Sequence, residues 1–193
     1  MPLPAVSLHQ GIAGVSLVSK KGKGLIQVFT GNGKGKTTAA LGAILRAAGH
    51  NLKIFVVFFM KGKYPYGEFS SLTRLPNVET ASFGLRCLID PDNVNPEEIE
   101  QAELALKTAR QAMLSGKYDM VVLDEINVAA YFKLIRPEDV IQLIQEKPPG
   151  VDLILTGRYA ETTVIERADL VTEMVKIKHP YDRGVKARKG IEY

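Results

Sequence analysis

The chain has 193 residues, of which 46% are hydrophobic and 24% charged; it carries a net charge of +4 and has a single cysteine. This is the composition of an ordinary globular domain with a sizeable core. The lone cysteine excludes an intrachain disulfide and a cysteine-rich zinc centre, and a four-charge surplus is too small to argue by itself for nucleic acid.

No apolar run reaches the ~20 residues needed to span a bilayer, and the expected setting is a reducing cytoplasm. The start "MPLPAVSLHQGIAGVSLVSKKGKG" places its charges after the apolar part, the reverse of a signal peptide. Residues 1–24, His9 among them, read as a mobile arm ahead of one domain at 25–193. The runs "LIQVFT" (25–30) and "LKIFVVFFM" (52–60) lack alternation, as strands buried on both faces do. Between them "KTTAALGAILRAA" predicts a helix closed by Gly49 as its cap, with His50 at the helix end. After Pro96, a helix carries Ile99, Ala102, Leu106, Ala109 and Met113 as one apolar stripe. "DMVVLDE" (119–125) predicts a strand, "RPEDVIQLIQE" a helix with Pro137 in its first turn, and "VDLILT" (151–156) and "LVTEMVKIK" (170–178) two more strands. Strands alternating with helices imply an α/β fold, three-layered, around a mostly parallel sheet. In such sheets ligands bind beyond the carboxyl ends of the strands. The glycine loop after the first strand, Asp124-Glu125 and Thr156-Gly157-Arg158 all follow strand ends, so one crevice could gather them.

The loop is "TGNGKGKTT", residues 30–38. It is a Walker A pattern with Thr30 where the first glycine belongs. Gly31, Gly33 and Gly35 let the backbone approach a phosphate closely, and Gly31 can make the turn that Thr30 cannot. Lys36 places a cation on the phosphates, and the Thr37 hydroxyl is a candidate Mg²⁺ ligand. Asp124 and Glu125 end an apolar strand as a Walker B pair does, and magnesium needs only one or two carboxylates beside phosphate oxygens.

The blocks "VFTGNGKGKTTAALG", "FMKGKYPYGE", "YDMVVLDEINVAAYF", "ILTGRYA" and "VKIKHPYDRGVKARKGIEY", in this order, resemble the P-loop type of ATP:corrinoid adenosyltransferase over residues 20–193. Thr at the first loop position is part of that family's pattern. The resemblance implies a RecA-like P-loop NTPase fold, a homodimer, and a Co(I) corrinoid that attacks C5′ of ATP and expels triphosphate. The corrinoid could be cobalamin, cobinamide or cobyrinic acid a,c-diamide. An electron-donating reductase or flavoprotein would supply the reduced cobalt, and neither a membrane nor nucleic acid is expected to take part. Carried over, Gly31, Asn32, Gly33, Lys34, Gly35, Lys36, Thr37 and Thr38 bind ATP. Lys36, Thr37 and Glu125 serve catalysis. Thr37 and Glu125 hold Mg²⁺, with Asp124 either a third ligand or an outer partner. Lys61 and Glu68 line the cleft or cap a surface turn. Phe58 stands where the family has a glutamine. Leu85 and Cys87 stand where enterobacterial members place aromatics against the corrin; Cys87 is either a small buried hydrophobe or a cobalt ligand. The basic tail (Lys176, Lys178, Arg183, Lys186, Arg188, Lys189, with His179 and Tyr181) packs near the site. Two other readings remain open: a P-loop ATPase or kinase cutting at the γ-phosphate, and a nucleic-acid-binding RecA-like module.

Overall fold

The structure is a computed structural model and describes residues 22–62, 65–85, 90 and 93–193. The arm expected at 1–24 lies mostly outside these, as do His9 and Cys87. Gly24 already belongs to the domain: its N–H donates to Pro149 O at 2.6 Å and its carbonyl accepts from Lys147 Nζ at 2.8 Å.

In chain order the elements are β1 (Ile26–Thr30), α1 (Lys36–Gly49), β2 (Ile54–Phe58), α2 (Gly67–Leu72), β3 (Val78–Ser82), α3 (Pro96–Leu114) and β4 (Met120–Asp124). They continue with α4 (Ile126–Tyr131), α5 (Pro137–Gln145), β5 (Asp152–Thr156), α6 (Thr162–Arg167), β6 (Leu170–Glu173) and a 3-10 turn, Pro180–Arg183. The strands form one parallel sheet in the order β3-β2-β4-β5-β1-β6.

The apolar runs have no alternation because both sheet faces are covered. Val57, Phe59, Leu123, Leu153 and Leu155 pack with α3 to α6 residues such as Ala105, Ile126, Leu143 and Val164. The intervening Val56, Phe58, Val122 and Ile154 pack with Ala40, Ile44 and Ala47 of α1 and Leu72 of α2. Burying a Val, Leu, Ile or Phe side chain stabilises by about 1.5–3 kcal/mol, so these two layers dominate the stability.

Four elements, β3, α2, α4 and α6, carry no periodic signal long enough to read from sequence; each has six residues or fewer. Three expectations need correction. Gly49 is the last helical residue of α1, and the left-handed position falls on Asn51 at φ 60°. Asn51 N–H donates to Ala48 O and Leu52 N–H to Ala47 O, the Schellman pairing, with asparagine in the usual place of glycine. The stripe on α3 is rotated slightly, so that Ala105 is fully buried while Ile99 and Leu106 sit at its margins. The last strand ends at Glu173 rather than 178, because past the final bond to β1 the Met174 carbonyl turns to the glycine loop and accepts the Gly33 N–H at 2.5 Å.

Candidate active site

The ends of β1, β4 and β5 place the functional groups. β5 lies between the other two, and the tip of β5 ties them together. The Thr156 hydroxyl donates to Asp124 Oδ1 at 2.7 Å and accepts the Glu125 N–H at 3.0 Å. Gly157 N–H donates to Phe29 O at 3.2 Å. Gly157 has φ 131°, and a Cβ there would come within 3.0 Å of Val128 N, so the close approach of α4 requires glycine. Thr156 therefore ties the ends of β4 and β5 together, a role its place at a strand end does not disclose.

In the glycine loop, Gly31 takes φ 93° and makes the turn. A Cβ on Gly31 or on Gly33 would sit 2.6 Å from Met174 O. Gly33 N–H donates to that same carbonyl at 2.5 Å. These two glycines admit the chain behind the loop, and the amide of Gly33 is turned away from the cleft. Thr30 has its own reason to be there: its Oγ1 accepts the Ala160 N–H at 3.3 Å, joining the loop after β1 to the loop after β5. Glycine could not make that bond.

Lys36 opens α1 and is buried, its Nζ donating to Gly33 O at 2.8 Å. Burial holds its pKa below the ordinary lysine value, and Glu125 opposes that shift. The αL backbone of Glu125 (φ 64°) ends β4 abruptly and begins α4. Burial, and then the charge of Asp124, push the Glu125 carboxyl upward; Lys61, Lys36 and Arg158 pull the other way without cancelling it.

Asp124 is 1% exposed and already engaged. Its Oδ1 receives Thr156, and its Oδ2 lies 2.8 Å from Lys61 Nζ. Lys61 also reaches Glu68 Oε1 at 3.0 Å and stands over the rings of Phe58 and Tyr66, at 5.1 and 4.8 Å from their centroids. Burial works against the Lys61 charge, but Asp124 and Glu68 outweigh it and raise its pKa. The ring of Phe58 thus offers the ammonium a cation-supporting face.

A cavity of about 810 Å³, within the usual range for small-molecule sites, opens in front of the loop. It brings together Gly33 through Thr38, Lys61, Glu68, Glu125, Arg158 and His179, beside an apolar wall of Leu41, Leu45, Leu72 and Leu75. Arg158, which the sequence places in the same crevice without assigning it a role, faces it from the loop after β5. Gly31, Asn32, Asp124 and Leu85 do not line it. Leu85 is half-buried in a turn, where its N–H donates to Glu98 Oε1 at 3.3 Å. None of the six tail cations lines this cavity, although Lys176, Lys178 and Lys186 line a neighbouring pocket of about 410 Å³.

Thr37 and Glu125 offer hard oxygen donors to the same cavity, which fits magnesium. Among the described residues no group of three or more His, Cys, Asp or Glu could hold a metal by itself. A metal here would be shared with phosphate oxygens.

A family model described as ATP:corrinoid adenosyltransferase BtuR/CobO/CobP matches residues 22–193. The corrinoid adenosyltransferase of Escherichia coli (strain K12) is 39% identical over 171 residues, 89% of this chain and 86% of the relative. Corrinoid adenosyltransferase CobA of Salmonella typhimurium (strain LT2) is 38% identical over 172 residues, again 89% and 86%. Among solved structures, a KaiC-like protein of Pyrococcus horikoshii OT3 is similar with a TM-score of 0.54 at 18% identity, over 81% of this chain and 74% of that one. That likeness is one of fold, a RecA-like P-loop architecture.

Proposed function

The chain belongs to the ATP:corrinoid adenosyltransferase family, and on that premise we propose that the cavity before the glycine loop is where its chemistry occurs. The protein transfers the 5′-deoxyadenosyl group of ATP to a corrinoid. A Co–C5′ bond forms with the cobalt's electron pair, the C5′–O bond breaks, and triphosphate leaves with the electrons of that bond. The nucleophile is the substrate's own metal, so the chain has to position and to stabilise charge rather than supply a nucleophile.

Lys36, the remaining loop amides and Arg158 meet the charge that grows on the leaving triphosphate. Magnesium, when bound, would neutralise part of the same charge, held by Thr37 and Glu125 with the phosphates. Asp124 is an outer partner, since Lys61 and Thr156 occupy both its oxygens. The apolar wall of Leu41, Leu45, Leu72 and Leu75 suits the adenine or a corrin face. Leu85 and Cys87 are our candidates for the lower side of the corrin; Cys87→Ala should keep turnover within a few-fold if the thiol only fills space. The physiological form is proposed to be a cytoplasmic homodimer served by a reductase or flavoprotein. The exposed apolar residues Leu170 and Val171 of the edge strand, with Val175 and Ile177 just beyond it, support a second copy. Among the described residues no helix is long and apolar enough to cross a membrane.

The observation that carries this reading is the convergence of Lys36, Thr37, Glu125 and Arg158 on one cavity. Incubation with ATP, Mg²⁺ and chemically reduced cobalamin should yield the light-sensitive Co–C spectrum and one triphosphate per turnover. Release of phosphate and ADP instead would favour γ-phosphate cleavage.

A further inference from the structure

Residues 188–193 fold back against the phosphate loop. Arg188 N–H donates to Glu192 Oε2 at 2.8 Å, and its Nη2 and Nε reach the same carboxylate at 3.0 and 3.2 Å. Gly190 N–H donates to Tyr193 O at 2.7 Å and closes the turn. Glu192 Oε1 then lies 3.1 Å from Lys34 Nζ, which also donates to Ile191 O at 2.8 Å. Lys34 sits inside the loop, two residues before Lys36. Gly190, Ile191, Glu192 and Tyr193 all line the cavity before the loop, while Lys34 and Glu192 also border the 410 Å³ pocket beside it. The Lys34–Glu192 pair, with Gly33 and His179, is therefore part of the partition between two cavities. It is also the fastening that makes the 190–193 turn a wall of the larger one.

We propose that Glu192 is a positioning residue for ATP: by pairing with Lys34 it holds the 190–193 turn against the loop, closing one side of the nucleotide cavity and fixing the loop's shape. The proposal rests on reading that cavity as the ATP site. A wall beside the triphosphate excludes water there and strengthens the attraction of Lys36 for phosphate. The action is on binding, since Glu192 carries no proton and no bond of the reaction.

The test combines equilibrium binding of ATP in the presence of Mg²⁺ with KM and kcat for adenosyl transfer, in Glu192→Gln, Lys34→Met, the double variant and Glu192→Asp. Glu192→Gln and Lys34→Met should each weaken ATP binding by up to about fivefold, as loss of one partly exposed ion pair does. The double variant should lose clearly less than the sum of the two, because both break the Lys34–Glu192 pair and differ only in the bonds of Lys34 to Ile191 and of Glu192 to Arg188. KM should rise with kcat within about twofold, and Glu192→Asp should recover most of the affinity. Unchanged or tighter ATP binding in Glu192→Gln, additive losses in the double variant, or a fall in kcat at constant KM would each overturn the proposal. ATP binding by the wild type that none of the variants alters removes only this inference; a wild type that binds no ATP removes the nucleotide site as well.

Discussion

Lys61 with Asp124 and Lys176 with Asp182 are pairs of the same chemistry at similar separation, 2.8 and 3.0 Å, in opposite surroundings. The first pair is 10% and 1% exposed, and the second 41% and 47%. A buried pair costs several kcal/mol of desolvation per ion and persists only because its geometry is fixed by further partners, here Glu68 and Thr156. The second pair is screened by water and salt and, without further partners to fix its geometry, holds nothing rigidly. The strand-end side of the site is therefore preorganised. Apart from its 190–193 turn, the tail contributes field: residues 175–193 hold six Lys or Arg and two Asp or Glu, a surplus equal to the net charge of the whole chain. Such a surplus draws polyanions toward the cleft without setting where their atoms go.

Breaking the buried side at its most functional member should give the largest effect. Lys36→Ala should lower adenosyl transfer by ~10²–10³ in a protein whose fold is intact, as removal of a charge-stabilising donor does. Near-normal turnover in a folded variant would take the loop out of the mechanism.

Lys61→Ala leaves Asp124 buried without its cation and should cost about 3–5 kcal/mol in urea unfolding. A loss below about 1 kcal/mol would mean that Asp124 finds water or a proton cheaply, and the two regions would differ less than their exposures indicate.

Glu125→Gln sharpens the contrast in a different way. Its carboxyl holds a proton more tightly in the folded chain than in the unfolded one, so folding stability falls as pH rises from the ordinary glutamate range through the raised value. The amide removes that penalty. The nucleotide-free variant should melt higher than wild type at neutral pH, with the difference shrinking as the pH is lowered, while its Mg²⁺ requirement for transfer rises. A melting difference that grows toward acid, together with an unchanged magnesium titration, would reassign Glu125 to structure.

The smallest effect is expected at Asp182→Asn. Its melting temperature should match wild type at low and at high salt. A clear drop at low salt would show that the tail pair does hold the chain in place.

How far the sequence could be read follows the same division. The strands were visible because β1, β2, β4 and β5 are buried on both faces and therefore apolar throughout. The loop and Glu125 were visible because their chemistry constrains residue type at fixed spacing. β3 was not: its pattern is half-buried, and only Val78 is fully covered. Lys61 could be read equally as a cleft residue or a surface turn, because nothing in "MKGKYPYGE" shows that Asp124, from a strand 60 residues away, will come to neutralise it. Thr156 and Arg158 were placed at a strand end without a role for the same reason: their partners come from other strands. At the end of α1, Gly49 is the stronger cap signal by residue type, but Asn51 also tolerates the left-handed region and takes it.

The contact of Gly33 with Met174 has a consequence for the order in which the protein forms. The phosphate loop is written near the beginning of the chain, but the backbone that braces it from behind arrives about 140 residues later. During synthesis Gly31 and Gly33 lack the backing of Met174 until β6 docks on β1. Nucleotide binding should therefore appear late and abruptly as the chain lengthens, so that ribosome-bound chains stopped before Met174 ignore ATP even when β1 to β5 have paired.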